Sequence, residues 1–175
     1  MKKYLKFFRT VCIHKWYVLM FGLKLHVPIW RLLIHDFRKL HPKNFIAYAQ
    51  RFFGETFDPD KFAYIWLDHQ NTCPHHWEYW ISRSGHIKST DPDRGLPTVA
   101  LPMPKWAVRE MVADWFAASK VYAGVEITDL TNWEWYQKNY PEIKKNLHTD
   151  TINLLSNVLV DYLLERFTKN VNNTT

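Results

Sequence analysis

The chain has 175 residues, of which 47% are hydrophobic, enough for one domain with a real core and short for two. Lys and Arg outnumber Asp and Glu by 23 to 17, a formal net charge of +6 that favours anionic partners. With no Lys/Arg-rich block, a small anionic substrate explains that excess as well as a nucleic-acid groove does, and no run approaches the roughly 18 apolar residues of a membrane span.

Helical spacing dominates in chain order. A first helix is expected over about residues 3–21, stopping near Gly22. It opens with basic residues as a signal peptide does, but Arg9, His14 and Lys15 interrupt it and no small-residue cleavage site follows. Pro28 opens PIWRLLIHDFRKL, read as one helix to about residue 40. Pro42 opens PKNFIAYAQRFF, closed by Gly54, and Pro59 opens a helix with Phe62, Ile65, Trp66 and His69 at i, i+3, i+4 and i+7. Pro74 then restarts the chain into a helix at HHWEYWI.

Residues 83–103 are rich in Gly, Pro and turn formers and form the one long irregular stretch, a candidate lid. Pro104 begins KWAVREMVADWFAASKVYAG, a helix ending at Gly124, and a shorter one covers about 129–140. The last places Ile152, Leu155, Leu159 and Leu163 on one face. Without strand alternation or internal repeats, the expectation is an all-α bundle of about seven to eight helices. It forms one domain over residues 1–168, with a flexible polar tail at 169–175. Cys12 and Cys73 form no CxxC motif and no disulfide framework, so a cytoplasmic setting is expected, without membrane partners.

Several polar residues sit where apolar ones belong. His35-Asp36 lies within LLIHDFRK, and burying that pair is costly unless a cation or metal ion compensates the carboxylate. Lys39 follows at helical spacing, so all three can face one cavity. His14 lies mid-helix in TVCIHKWYV, and Asp114 in EMVADWFA. Each alone also reads as a hydrogen-bonded core residue or a solvated helix edge. Together, imidazoles and carboxylates suit Mn, Fe, Co, Ni or Zn, and the carboxylates tolerate Mg.

The order His14, His35-Asp36, Asp114, with Lys39 completing an HDxxK motif, resembles the HD-domain superfamily of metal-dependent phosphohydrolases over residues 14–114. The fuller string from HDFRKLHP through HHWEYW to EMVADW is similar to an uncharacterised family of small bacterial and phage proteins. The HD resemblance implies a helical bundle with His14, His35, Asp36 and Asp114 as ligands of one divalent ion. It also implies that His69 and one of His75 or His76 serve a second ion, with Asp36 bridging the two. Neighbours on a helix point about 100° apart, so one of the adjacent pair is expected to bind. His76 is preferred, and His75 is left to contact substrate or brace a ligand.

A metal-bound water would attack a nucleotide or other small phosphate ester. Lys39 would hold the phosphate with help from Arg38 or Arg31, and Glu78 would accept a proton. The same ligand count also resembles HD-fold di-iron oxygenases. A third reading is a non-catalytic module that binds nucleic acid or an acidic partner, with Lys, Arg and aromatics stacking on single strands. Trp16, Trp77, Trp80 and Trp115 flank the proposed ligands, where they could shield a metal or stack a base, although most suit a core.

Overall fold

The computed structural model describes residues 1–83 and 98–172, with side chains to residue 166. Among them are seven α-helices: α1 Lys2–Lys24, α2 Ile29–Ile34, α3 Pro42–Phe53, α4 Pro59–Thr72, α5 Lys105–Tyr122, α6 Glu134–Lys145 and α7 Thr149–Asn172. Two short 3₁₀ turns, Phe37–Leu40 and Trp77–Trp80, follow α2 and α4. The fold is all-α apart from an antiparallel ribbon of β1 Ile81–Arg83 and β2 Thr98–Ala100, with Ile81 opposite Ala100. Three-residue strands are too short to display the alternation by which strands are read. Most of the expected lid, residues 84–97, lies outside the described residues.

Two apolar clusters organise the bundle. In the larger, Val18 of α1 and Leu155 and Leu159 of α7 meet Val108, Met111, Val112 and Phe116 of α5. Trp133 is buried there with its Nε1–H donating to Ser119 Oγ at 2.8 Å, so its polar handle is satisfied. In the smaller, Phe7 and Val11 of α1 pack on Ala47, Tyr48 and Ala49 of α3 and Ile65 of α4. Each large side chain so buried contributes roughly 1.5–3 kcal/mol. The inward stripe of α1 runs Phe7, Val11, His14, Val18, Gly22. Its histidine therefore falls between the two clusters.

Several predicted boundaries move for local reasons. Helix α1 passes through Gly22 to Lys24, because the missing side chain admits Leu32; a Cβ at Gly22 would lie 2.3 Å from Leu32 Cδ2. The expected helix over residues 28–40 breaks after Ile34, where His35 is extended (ψ 129) and Asp36 adopts a left-handed conformation (φ 56). The expected HHWEYWI helix is a turn followed by the 3₁₀ segment. Helix α6 begins at Glu134 rather than 129, since Asp129 Oδ1 accepts from the backbone N–H of Thr131 (2.6 Å) and Asn132 (3.0 Å) and holds a turn there. It then runs through Pro141 to Lys145. Helix α7 continues to Asn172, beyond the boundary expected at 168, as no Gly or Pro stops it. Residues 173–175 lie outside the description.

Candidate metal centre

Five elements converge where the two apolar clusters meet. Helix α1 contributes His14, the break after α2 gives His35 and Asp36, and α4 gives His69. The turn that follows α4 gives His75 and His76, and α5 gives Asp114. His14, His35, Asp36 and Asp114 can each offer a ligand atom within 4.8 Å of the others, and so can His69, His75 and His76.

Asp36 joins the two groups. Its Oδ2 lies 3.6 Å from Nε2 of both His14 and His35. Its Oδ1 lies 3.3 Å from His69 Nε2 and 3.7 Å from His75 Nε2. Asp114 Oδ1 stands 2.9 Å from His14 Nε2 and 3.5 Å from His35 Nε2. The 2.9 Å approach is close, yet His14 Nε2 is not aligned for a hydrogen bond.

Local backbone explains how adjacent residues reach one point. The left-handed Asp36, a conformation Asp tolerates better than most side chains, turns His35 and Asp36 inward together. His76 is extended (ψ 131), so the helical 100° rule does not govern His75 and His76, and both rings enter the cluster. The helical spacing from which only one of them was expected to bind does not apply to this backbone. His75 is the more deeply buried, at 3% exposure.

The buried atoms left unpaired are informative. Nε2 of His14, His35, His69, His75 and His76, together with Asp36 Oδ1, is buried without a hydrogen-bond partner. Buried polar atoms are normally satisfied, and here the orphans share one centre. Three of the opposite ring nitrogens are anchored: His35 Nδ1 sits 3.0 Å from Glu110 Oε1, His75 Nδ1 3.4 Å from the same oxygen, and His69 Nδ1 3.4 Å from Cys73 Sγ, whereas His14 Nδ1 is itself buried without a partner. An imidazole braced at Nδ1 presents the Nε2 lone pair to a cation. Imidazoles, neutral when they ligate, and carboxylates form a donor set that fits one or two divalent metal ions.

Glu110 is the residue that sequence reasoning missed. It is fully buried on α5, one turn before Asp114, and accepts from Arg31 Nε at 2.9 Å. Its carboxyl would rise on burial, but the imidazoles of His35 and His75 hold it at about 2. The signal was the i, i+4 spacing to Asp114. Arg31 is thereby turned to Glu110, and its guanidinium lies 4.5 Å from the Trp106 ring, so it braces the site rather than facing a substrate. Arg38 also points away, forming an ion pair with Asp68 at 2.7 Å on the surface. Lys39 Nζ donates to Asp36 Oδ2 at 2.5 Å.

Electrostatics follow from this crowding. Burial alone would raise the Asp36 carboxyl, but Lys39 and His35 keep it well below the usual range. Burial would likewise lower His35, yet Asp36, with Asp114 and Glu110, pushes it up to about 9. His75 and His76 are lowered, by burial first and by neighbouring imidazoles second. They are therefore held in the neutral form that a metal requires.

A cavity of about 510 Å³ opens beside His75, His76 and Asp114. Trp66, Trp115, Trp135 and Tyr122 form much of its wall, and no described Lys or Arg lines it. Glu78 does: its Oε1 accepts from Gln70 Nε2 at 2.7 Å, while Oε2 is buried without a partner and lies 3.9 Å from His76 Nδ1. Burial raises that carboxyl above its ordinary range. Trp77 also lines the cavity, Trp80 donates to Pro74 O at 2.9 Å, and Trp16 is 58% exposed on the outer face of α1.

No curated protein and no solved structure matches the chain. A family model described as a family of unknown function, DUF5662, matches residues 3–161. The match spans both the helices and the histidine cluster, and the chain belongs to that family.

Proposed function

We propose that this protein is a metal-dependent phosphohydrolase of the HD-domain type, acting on a small phosphate ester. The observation that carries the reading is the convergence of four unpaired histidine Nε2 atoms, of His14, His35, His69 and His75, around the two oxygens of one buried aspartate. His14, His35, Asp36 and Asp114 would hold one divalent ion, and His69, His75, His76 and Asp36 a second. Such ions bring the pKa of a bound water toward neutrality and neutralise charge on a phosphoryl oxygen.

The chain's own groups complete the site. Lys39 sets the charge of Asp36 from inside the protein and adds to the attraction for an anion. Glu110 fixes the rings of His35 and His75. Glu78, which lines the cavity and keeps Oε2 unpaired, is placed to exchange a proton with the leaving group. The tryptophans exclude bulk water and receive the uncharged part of the substrate.

Reconstitution with Mn, Fe, Co, Ni, Zn or Mg, followed by a panel of nucleotides and phosphate monoesters, should release phosphate. That release should disappear in Asp36→Asn. Absence of turnover with every metal and ester counts against hydrolysis. A second reading, an HD-fold di-iron oxygenase acting on a small polar substrate, draws on the aromatic cavity wall, along which no described Lys or Arg lies. Aerobic loading with iron should then give a coloured protein with a mixed-valent EPR signal, whereas a hydrolase works with redox-inert metals.

A further inference from the structure

We infer that the outer face of α1 and α2 docks on an anionic lipid surface. This inference stands apart from the reading of the metal centre, and it replaces the expectation that the chain has no membrane partner. The chain's positive charge is unevenly placed: residues 1–35 contain seven Lys or Arg and no Asp or Glu. The remaining 140 residues carry 16 cations against 17 acids. All of the net charge therefore comes from the segment that forms α1 and α2.

That segment also exposes apolar side chains. Leu5, Phe8, Trp16 and Leu23 lie along one side of α1 at helical spacing, with Leu5 71% and Trp16 58% exposed. Leu5, Trp16 and Leu23 lie away from the buried stripe that holds His14, and Phe8 flanks it beside α3. Helix α2 lies alongside: Leu32 fills the space at Gly22, and Lys15 Nζ donates to Leu33 O at 3.2 Å. Trp30 and Leu33 of α2 are themselves 58% and 64% exposed. Lys2, Lys6, Arg9 and Lys24 are exposed and border the α1 stripe on the side away from α2.

Large apolar side chains exposed together on two adjoining helices mark an interaction site. Its composition selects the partner. A second copy would bring the cations of the same acid-free segment face to face. Nucleic acid would meet the charge but not the Leu side chains. An anionic bilayer meets both, with aliphatic and Trp side chains in the headgroup–acyl boundary and Lys/Arg at the phosphates. Among the described residues no helix is long and apolar enough to cross the membrane, so the helices would lie on the surface.

Co-sedimentation with phosphatidylglycerol vesicles, set against phosphatidylcholine vesicles, tests this. The metal-loaded full chain should bind only the anionic vesicles, with a blue shift in Trp emission and weakening at high salt. Lys6→Glu with Arg9→Glu should reduce binding by at least about tenfold, and Trp16→Ser with Leu33→Ser should abolish the blue shift. Far-UV circular dichroism and metal content should be unchanged in both, since the altered side chains face away from His14. Equal binding to both vesicles, or variants that bind like the parent, would overturn the proposal. So would a concentration-dependent dimer lost in Trp16→Ser, or nucleic-acid binding, without vesicle binding.

Discussion

At the scale of single residues, Asp36 concentrates the most chemistry. Its φ of 56 is a conformation that Asn adopts as readily as Asp. Asp36→Asn therefore keeps the backbone and the volume while removing the charge shared by both histidine groups. Metal content by elemental analysis should fall to background with unchanged helix content; retained metal would show that the carboxylate bridges nothing. Glu110→Gln weakens the brace on two imidazoles and strands Arg31, so metal affinity should fall about 10- to 100-fold in a competition titration with a chelating dye. Cys73 is 7% exposed and burial pushes its thiol up to about 12, whereas Cys12 is exposed. Iodoacetamide should therefore label one thiol in the native protein and two after denaturation. His14, His35, Asp36, His69 and Asp114 were legible because polar residues broke apolar helical stripes. The joint arrival of His75 and His76 was not, because it depends on an extended turn that was read as a helix.

At the scale of elements, the contact between α1 and α2 sets the distance from His14 to His35. Gly22→Ala places a methyl against Leu32 in a close-packed spot and should destabilise the protein by about 1–3 kcal/mol, measured as a lower urea midpoint. Adding Leu32→Ala makes room for the methyl, so the double variant should be more stable than the two single losses imply. Additive losses would mean that the two residues do not press on each other. The proline and glycine punctuation located α3 and α4 well. Two interior boundaries escaped it: the break at His35-Asp36 contains neither residue, and α6 passes through Pro141.

At the scale of the whole molecule, the bundle buries imidazoles and carboxylates between two apolar clusters, which is costly without compensation. A metal that binds only the folded state at about a thousand times its Kd adds roughly 4 kcal/mol. For a chain of this size the melting temperature should then fall by about 8–16 °C on chelation. Thermal scans with and without EDTA measure it. An unchanged melting temperature would mean that Lys39, Arg31 and the hydrogen bonds to Glu110 compensate the site unaided.

The sequence by itself determined the helical class and the inward positions of His14, His69 and Asp114, because periodicity is a local property of a chain. It also contained the i, i+4 relation of Glu110 to Asp114, unread until burial singled that residue out. Only the tertiary structure decided which oxygen of Asp36 meets which histidines, that His75 and His76 enter together, and that Arg31 and Arg38 turn elsewhere. Those outcomes depend on a left-handed residue, an extended turn and contacts between distant helices. Nearest-neighbour spacing encodes none of these.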